Sequence, residues 1–508
     1  MIANRRRFVQ SLAAAAAATR AARLWADAAD SPASLAAVTG AGKSVTLSAS
    51  DIKDLRAGFR GQVLLAQDAG YDKARRLWNS MFDRRPALIA RCAATEDVVR
   101  AVTFARAHDL LTAVRGGGHS LSGQSACDGG LMIDMSPMRD VEIDTQRRFG
   151  RAHGGVLLGE LDRKMQAVGL ATTLGTATDT GIAGLTLGGG MGRLMRKHGL
   201  ACDNLQSVEL VSAQGKVLHA SASENQDLFW GVRGGGGNFG VVTRFEYRLH
   251  PLQEKVIDGA RIYPYAQARS LLAIVGELSE RCPDDLLLAA QLLNFPPGEE
   301  RPGRVALVGL TYFGTPSELD RLLAPLGKLG SPLMDLLATK SYLEAQGAQD
   351  VAAPVAVPSA TRGAPLYTKT GFLHNSSTEF NDEMVRRFEA LPAELDAVVL
   401  VAQMGGAVSR VSQDATAFWT RQATHDLMLG GSWADRSKDA AYIKQLREVW
   451  SGVERFTEGF YVNTEPGADD TRVRATYGGN YARLQKIKTH YDPGNLFRMN
   501  ANIKPTAA

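Results

Sequence analysis

Glycine is concentrated in three short stretches of this 508-residue chain, at residues 116–130, 175–192 and 231–240. Because glycine lacks a Cβ atom, it permits tight turns and close approach of the backbone to a ligand. The chain holds 52 glycines, the one unusual count in its composition. The three clusters therefore predict that the backbone turns sharply, or passes close to a bound molecule, in three places.

The third cluster contains Gly235-x-Gly237-x-x-Gly240, the spacing of a dinucleotide-binding loop. That loop needs a helix after it, whose N-terminus receives the pyrophosphate. Residues 241–249 instead alternate apolar and polar side chains, which predicts a half-buried strand, so we reject a Rossmann nicotinamide site. The loops at 116–118 and 188–192 can still present backbone N–H groups to an anion. Together they favour a large phosphate-bearing cofactor over two unrelated tight turns.

The pattern of predicted strands and helices changes near residue 256, which divides the chain into two predicted domains. Strands and helices alternate in residues 45–255, which predicts a first, cofactor-binding domain. Residues 256–455 predict a separate α+β domain, and residues 456–508 a C-terminal segment that returns to the first domain. A length of 508 residues is consistent with two or three domains.

The N-terminus resembles a twin-arginine export signal. Arg5 and Arg6 precede Phe8 and an alanine-rich stretch, and residues 26–28 fit a small-x-small cleavage site. The alternative is a basic, alanine-rich helix. Removing residues 1–28 leaves 53 basic and 52 acidic residues, and such a balance argues against a nucleic-acid-binding surface. We expect a periplasmic or secreted protein that acquires its cofactor in the cytoplasm before export.

Cysteine and histidine spacing predicts no metal site. The four cysteines, Cys92, Cys127, Cys202 and Cys282, show no C-x-x-C pair, and the 9 histidines include no pair at ligand spacing on a helix. We expect free thiols rather than disulfides, although an exported chain permits one or two. No apolar run reaches the roughly 18 residues of a membrane-spanning helix.

His119 follows three consecutive glycines at the end of a predicted strand. A lone histidine in a loop is more often a surface residue than a chemical one. This position, however, lets an imidazole nitrogen approach a cofactor closely, and a neutral imidazole is a competent nucleophile.

Seven motifs resemble those of the berberine-bridge-enzyme-like flavoprotein oxidases, which share the FAD-binding fold of the vanillyl-alcohol oxidase and p-cresol methylhydroxylase group. The motifs follow one another along nearly the whole mature chain: RGGGHSLSG at 115–123, DGGLMID at 128–134, GLTLGGGMG at 184–192, GLACDN at 199–204, DLFWGVRGGGGNFGVVT at 227–243, YGGNYARL at 477–484 and YDPGNLF at 491–497.

The resemblance implies an α+β protein with a two-subdomain PCMH-type (p-cresol methylhydroxylase) FAD-binding domain and an α+β substrate domain with an antiparallel sheet. It implies FAD between the two subdomains, linked covalently through its 8α-methyl group to His119. Many relatives carry a second link through a cysteine where this chain has Ala177. A single histidyl link, as in the hydroxynicotine-oxidase-like branch, is therefore expected.

The cofactor-binding residues that we predict come from the matching motifs. They are Arg115, Gly116, Gly117, Gly118, His119, Ser120, Gly123, Thr180, Gly181, Gly184, Gly188, Gly189, Gly192, Asn204, Gly240, Val241, Val242, Asn480, Tyr481, Asn500 and Asn502.

Tyr461 is the predicted catalytic base or substrate anchor. The family usually has Tyr-x-Asn-Tyr here, and Thr464 departs from that pattern. A core tyrosine on a strand is the alternative for Tyr461. Gln403 and His425 are weaker catalytic candidates, and His425 is equally consistent with a surface helix.

The resemblance implies hydride removal from a C–H bond next to oxygen or nitrogen of a small alcohol, sugar or amine, with O2 reduced to H2O2. Ala177 disfavours a carbohydrate oxidase, since the oligosaccharide-oxidising relatives usually carry two flavin links. Two alternatives stay open at this point. One is a dehydrogenase of the same fold that passes electrons to a quinone or protein acceptor, and the other is a flavoprotein that binds without redox turnover.

Overall fold

The computed structural model describes residues 34–252, 255–297, 303–349, 363–465 and 467–506. The predicted export signal, residues 1–28, lies outside the described residues. No helix in the described ranges is both long enough and apolar enough to cross a membrane. All four cysteines are free, as expected, and three of them are buried.

The first subdomain is built around a mixed four-stranded sheet. Its elements are β1 (Ser34–Val38), β2 (Ser44–Ser48), α1 (Ala49–Ala57), β3 (Gln62–Leu65), α2 (Tyr71–Arg75), β4 (Leu88–Arg91), α3 (Thr95–Ala107), β5 (Thr112–Arg115) and β6 (Leu131–Asp134). The strand order is β3-β4-β6-β5, with β4 and β5 both parallel to β6. Parallel β5 and β6 end at the same edge of the sheet, and the first glycine loop leaves the sheet there, after Arg115.

The second subdomain contains an antiparallel five-stranded sheet. Its elements are β7 (Val141–Asp144), β8 (Phe149–His153), α4 (Leu158–Gln166), β9 (Leu170–Ala171), α5 (Ile182–Leu187), α6 (Met195–His198), β10 (Leu205–Val211), β11 (Val217–Ser221), α7 (Gln226–Val232), β12 (Val241–Arg248) and β13 (His250–Pro251). The order is β11-β10-β12-β8-β7. The Gly235-x-Gly237-x-x-Gly240 loop enters strand β12, which confirms the rejection of a Rossmann site.

The third unit is a large antiparallel sheet with helices on one face. Its elements are β14 (Lys255–Pro264), α8 (Ala268–Arg281), β15 (Leu286–Asn294), β16 (Arg304–Tyr312), α9 (Pro316–Leu322), β17 (Met334–Asp335), β18 (Ala338–Ser341), α10 (Tyr342–Gln346), β19 (Leu366–Leu373), α11 (Thr378–Glu389), β20 (Asp396–Gln403), α12 (Ala407–Arg410), β21 (His425–Ser432), α13 (Asp439–Val453) and β22 (Thr457–Glu458). The order is β17-β14-β16-β15-β20-β21-β19-β22, and β18 pairs with β14.

Strict alternation along the central strands separates the two faces of this sheet. Leu288, Val399 and Leu427 belong to the core that the sheet forms with the helices. Their neighbours in sequence point to the opposite face, which looks toward the first two subdomains. The predicted α+β class with an antiparallel sheet is confirmed.

The C-terminal segment carries α14 (Asp470–Tyr477) and α15 (Tyr481–Tyr491) and packs against the second subdomain. Tyr477 and Leu484 are part of that subdomain's core. The ammonium of Lys488 is fully buried, where it donates to Asp492 at 2.6 Å and to two backbone carbonyls. A buried cation with these partners is satisfied, and it fixes the turn that follows the helix.

Candidate active site

A cavity of about 1110 Å³ lies between the first two subdomains and the large sheet. Sites for drug-sized ligands occupy about 300 to 1,000 Å³, so this volume suits a larger cofactor together with a small substrate. Glycine loops form one wall and the free face of the sheet forms the other. The two predicted domains thus meet at one site.

The sheet wall is mainly apolar and carries a few polar groups. Its side chains come from alternate positions of three neighbouring strands, and they are Leu287, Ala289, Gln291, Asp396, Leu400, Ala402, Asp426 and Met428. Ala402 and Asp426 are directly paired across β20 and β21. Small residues such as Ala289 and Ala402 leave room above the sheet, and a few polar groups in apolar surroundings are typical of sites that orient a small molecule.

The first glycine loop offers a row of free backbone donors. Within the described ranges, the N–H groups of residues 116–120 donate to no backbone or side-chain acceptor. Successive free N–H groups in a turn form a concave anion site, and a buried donor without an acceptor costs free energy. This donor set fits the pyrophosphate of FAD.

In the second glycine region, residues 175–192, the glycines allow backbone segments to pack closely against one another, and those at 188–190 do not provide a row of free N–H donors. A Cβ on Gly181 would lie 2.3 Å from the backbone nitrogen of Gly117, and one on Gly192 would lie 1.6 Å from the Leu174 carbonyl oxygen. The N–H groups of residues 188–190 are already bonded, to helix α5 and to the Tyr461 hydroxyl. The N–H groups of residues 188–190 are therefore not free for the predicted anion nest, and the glycines of this region let the chain segments pack closely.

His119 projects into the cavity from the end of the first glycine loop. Its ring stacks on Trp78 with centroids 4.7 Å apart, and its buried Nε2 atom lies 3.3 Å from Oδ1 of Asp179. The stacking contact fixes the plane of the imidazole, and Nε2 makes no hydrogen bond within the described ranges. The side chain thus lies at the cavity.

Thirteen of the predicted cofactor-binding residues line the cavity. They are Gly116, Gly117, Gly118, His119, Ser120, Thr180, Gly181, Gly184, Gly192, Gly240, Val241, Val242 and Asn500. Gly184 faces open space, since a Cβ added there would meet nothing within 4 Å. Glycine at this position keeps the cavity wide.

The other predicted cofactor-binding residues lie behind this wall, and they are Arg115, Gly123, Gly188, Gly189, Asn204, Asn480, Tyr481 and Asn502. Arg115 pairs with Asp134 at 3.1 Å, under the loop at Gly118. The side-chain amides of Asn204 and Asn480 each donate two hydrogen bonds to backbone carbonyls. These contacts shape the backbone around the cavity.

Tyr461 lies on the cavity wall, where its hydroxyl accepts hydrogen bonds from the Gly190 N–H at 3.2 Å and from Asn463 Nδ2 at 2.9 Å. A phenol has one proton and two acceptor sites, so both acceptor sites are used and the proton remains. Burial raises the pKa of Tyr461 to about 12. The residue is therefore a hydrogen-bond donor to a ligand rather than a base in its resting state.

Gln403 does not line the cavity. Its Nε2 donates to the Ser279 carbonyl at 2.9 Å and to Cys282 Sγ at 3.0 Å. Its Oε1 accepts from the Leu288 N–H at 3.0 Å. The amide is thus fully used in joining β20 to helix α8 and strand β15, and we assign it a structural role.

His425 begins strand β21 and is buried, which corrects the surface-helix alternative. It is paired with Gln403 across the sheet and points away from the cavity. Burial lowers the pKa of His425 to about 4, so the ring is neutral at physiological pH. Its neighbour along the strand, by alternation, is the residue that faces the cavity.

That neighbour, Asp426, was not singled out by the sequence analysis. It is 8% exposed, lines the cavity, and has a buried Oδ1 atom without a hydrogen-bond partner among the described residues. Burial raises the pKa of Asp426 to about 7. A carboxyl group poised near neutral pH in a cavity is a candidate general base. An acidic residue at an inward-facing position of an otherwise apolar strand was the available signal.

Two family models match parts of the chain that line this cavity. One, described as FAD binding domain, covers residues 86–221, and the other, described as Berberine and berberine like, covers residues 460–504. Among characterised relatives, (R)-6-hydroxynicotine oxidase of Paenarthrobacter nicotinovorans is 31% identical over 467 residues, covering 88% of this chain and 97% of the relative. The chain belongs to the berberine-bridge-enzyme-like FAD-linked oxidoreductases.

Further relatives and solved structures agree. An FAD-linked oxidoreductase of Bacillus subtilis, YgaK, is 30% identical over 458 residues, which cover 88% of this chain and 97% of the relative. The solved structure of 6-hydroxy-D-nicotine oxidase from Arthrobacter nicotinovorans matches with a TM-score of 0.79 at 28% identity, over 88% of this chain and 99% of that one. A chitooligosaccharide oxidase also matches with a TM-score of 0.79, but at 24% identity it shows the fold alone.

Proposed function

We propose that this FAD-linked oxidoreductase is an oxidase that removes a hydride from a C–H bond next to oxygen or nitrogen of a small alcohol, sugar or amine and reduces O2 to H2O2. The observation that carries the proposal is the position of Asp426, on the sheet wall of the cavity whose other wall holds the loops for FAD. When bound, FAD supplies the two-electron acceptor. The protein has to bind the substrate, orient it and take a proton.

Asp426 is the base in this proposal. Removing hydride from carbon makes the neighbouring O–H or N–H strongly acidic, and a carboxylate within hydrogen-bond reach accepts that proton. With a pKa of about 7, Asp426 is partly ionised at neutral pH and returns to its neutral form on taking the proton. Burial is the cause of the raised pKa, and no cationic partner among the described residues lowers it, so the protonated product state is not penalised.

Tyr461 is the substrate anchor. Its remaining proton is available to an oxygen or nitrogen of the substrate, since both of its acceptor sites are filled by Gly190 and Asn463. Tyr461 and Asp426 both line the cavity, and the negative charge of Asp426 adds to the rise in the pKa of Tyr461. Leu400 and Met428, on the same face of the sheet, exclude water around them.

We further propose a single covalent link between His119 and the 8α-methyl group of FAD. A carboxylate beside Nε2 would favour the imidazole tautomer protonated there and leave the lone pair of Nδ1 free. The link would replace one C–H bond of the methyl group and release the imidazole N–H proton, and the two electrons would pass through the flavin to O2. Asp179 is placed for this role at 3.3 Å. Ala177, which also lines the cavity, offers no side chain for a second link.

The second candidate function is a dehydrogenase of the same fold that uses a quinone or protein acceptor. The relatives whose names say oxidase favour O2, and 6-hydroxynicotine oxidase is among them. Export by the twin-arginine route, with a periplasmic or secreted location, remains part of the proposal on the strength of Arg5 and Arg6.

An anaerobic absorbance experiment tests the proposed function. Purified protein with bound FAD is mixed with panels of cyclic amines, phenolic alcohols and sugars, and air is then admitted. Bleaching by one panel followed by recovery in air, with peroxide released, is the expected result. Bleaching without recovery in air would refute the oxidase and favour the dehydrogenase. Bound flavin that no panel bleaches would count against redox turnover on these substrate classes.

A further inference from the structure

We propose that a second cleft, separate from the flavin cavity, binds a small oxyanion through a phosphate or carboxylate group. The cleft has a volume of about 720 Å³. It meets the main cavity at Ser122, Gln124 and Met499, just beyond the loop that carries His119. The inference does not depend on the proposed redox function.

Positive charge dominates the lining of this cleft. The cationic side chains are Arg84, Lys369, Arg447, Arg472 and Arg498, and the carboxylate among the lining residues is Glu454, which pairs with Arg472. Buried Glu465, behind the wall, bonds to Lys369 and Arg472. Among the described residues, the remaining three arginines have no carboxylate partner. A cleft with this excess of positive charge attracts an anion.

Two buried donors in the same lining have no acceptor. The indole N–H of Trp450, a residue only 2% exposed, is buried without a hydrogen-bond partner within the described ranges, and so is the Nε–H of Arg472. An indole N–H and a guanidinium N–H donate and never accept. Buried polar groups are normally satisfied, so the acceptor oxygens of a ligand would complement these two donors.

The unpaired arginines are already oriented. The Nε of Arg447 donates to the Tyr367 hydroxyl at 3.0 Å, with its guanidinium 5.8 Å from the centre of that ring. Arg498 donates to three backbone carbonyls. These contacts hold the side chains without neutralising them, which lowers the entropic cost of binding an anion.

The chemistry is thus complementary to an oxyanion with several acceptor oxygens, because arginine presents paired donors to phosphate and carboxylate alike. Two sources could provide it: a free inorganic oxyanion, or the anionic group of a larger organic molecule that reaches the flavin cavity through this cleft. Calorimetry on the flavin-loaded protein distinguishes them.

Inorganic phosphate and phenyl phosphate are titrated into the wild type, R447Q and W450F at fixed ionic strength, with R386Q as the matched control. Arg386 is an exposed arginine on helix α11 that pairs with Glu383, away from the cleft. Saturable 1:1 binding is expected, weakened about tenfold in R447Q and severalfold in W450F, but unchanged in R386Q.

If phenyl phosphate binds more tightly than inorganic phosphate, the ligand is the anionic group of a larger organic molecule. If the two bind equally, the ligand is a free oxyanion. Either result supports the site. No saturable binding of either compound to the wild type overturns it. Equal weakening in R386Q and R447Q also overturns it, because binding would then reflect net charge. Since Arg447 is exposed, R447Q is expected to fold, which keeps the test valid if W450F is unstable.

Discussion

Replacing Asp426 by asparagine should slow flavin reduction and, at the same time, stabilise the protein at alkaline pH. The substitution keeps the shape of the side chain and removes its ionisable proton. Loss of a general base typically costs about 10²- to 10⁴-fold in rate. The wild-type rate should rise with pH through the pKa of about 7, and the residual rate of D426N should not follow that titration.

The stability effect follows from the same pKa. The change from 3.8 in the unfolded chain to about 7 in the fold corresponds to about 4 kcal/mol. A carboxyl group whose pKa is raised on folding stabilises the fold fully below pH 3.8, and that contribution is lost as pH rises to about 7. D426N avoids this loss, so its advantage over the wild type should be absent at low pH and largest above pH 7.

Both effects are measured with the same proteins. Anaerobic stopped-flow absorbance follows flavin reduction between pH 5 and 9, with whichever compound reduces the wild type fastest, and urea melts at pH 5 and pH 8 give the free energy of unfolding. Asp335→Asn is the control, because Asp335 is an exposed carboxylate that pairs with Arg261 outside the cavity. A D426N enzyme with the wild-type rate and pH profile would refute the reasoning.

Other substitutions test the remaining parts of the site. In His119→Ala, acid precipitation should release all of the flavin, and Asp179→Asn should lower the fraction of flavin that stays covalently bound. Both are measured from the flavin absorbance of the acid-precipitated pellet. Full covalent incorporation in His119→Ala would argue against the histidyl link, and in Asp179→Asn against its positioning by Asp179. Gly192→Val should cost several kcal/mol and flavin content, since its Cβ would collide with the Leu174 carbonyl; an unchanged melting temperature would contradict this. Tyr461→Phe should raise KM about tenfold with a smaller change in kcat, as expected for a lost anchor, whereas a collapse of kcat alone would point to a base.

Local patterns predicted much of the fold because they depend on neighbouring residues. The alternation in residues 241–249 identified β12 and excluded a Rossmann site. The hydroxyl of Thr95, the first residue of α3, in contrast donates to Glu209 of the second subdomain. A tertiary contact of this kind has no local signature.

The site was harder to predict from sequence because its two walls come from distant parts of the chain. The loop at 116–120 was identified from its glycines, which act through their own backbone. Asp426 gains its chemistry from burial alone, and burial depends on which face of β21 meets the first domain. Gln403 and His425 each lie one residue along the strand from the cavity-facing pair Ala402 and Asp426. Because successive side chains of a strand point to opposite faces, these two candidates point away from the cavity.

His119 would hold the dimethylbenzene edge of FAD in the cavity that Asp426 also lines. Mass spectrometry of proteolytic peptides from the acid-denatured wild type measures this directly. A flavin adduct on the peptide that contains His119, and on no other, is the predicted result. An adduct on a different peptide, or complete release of the flavin by acid, would contradict it.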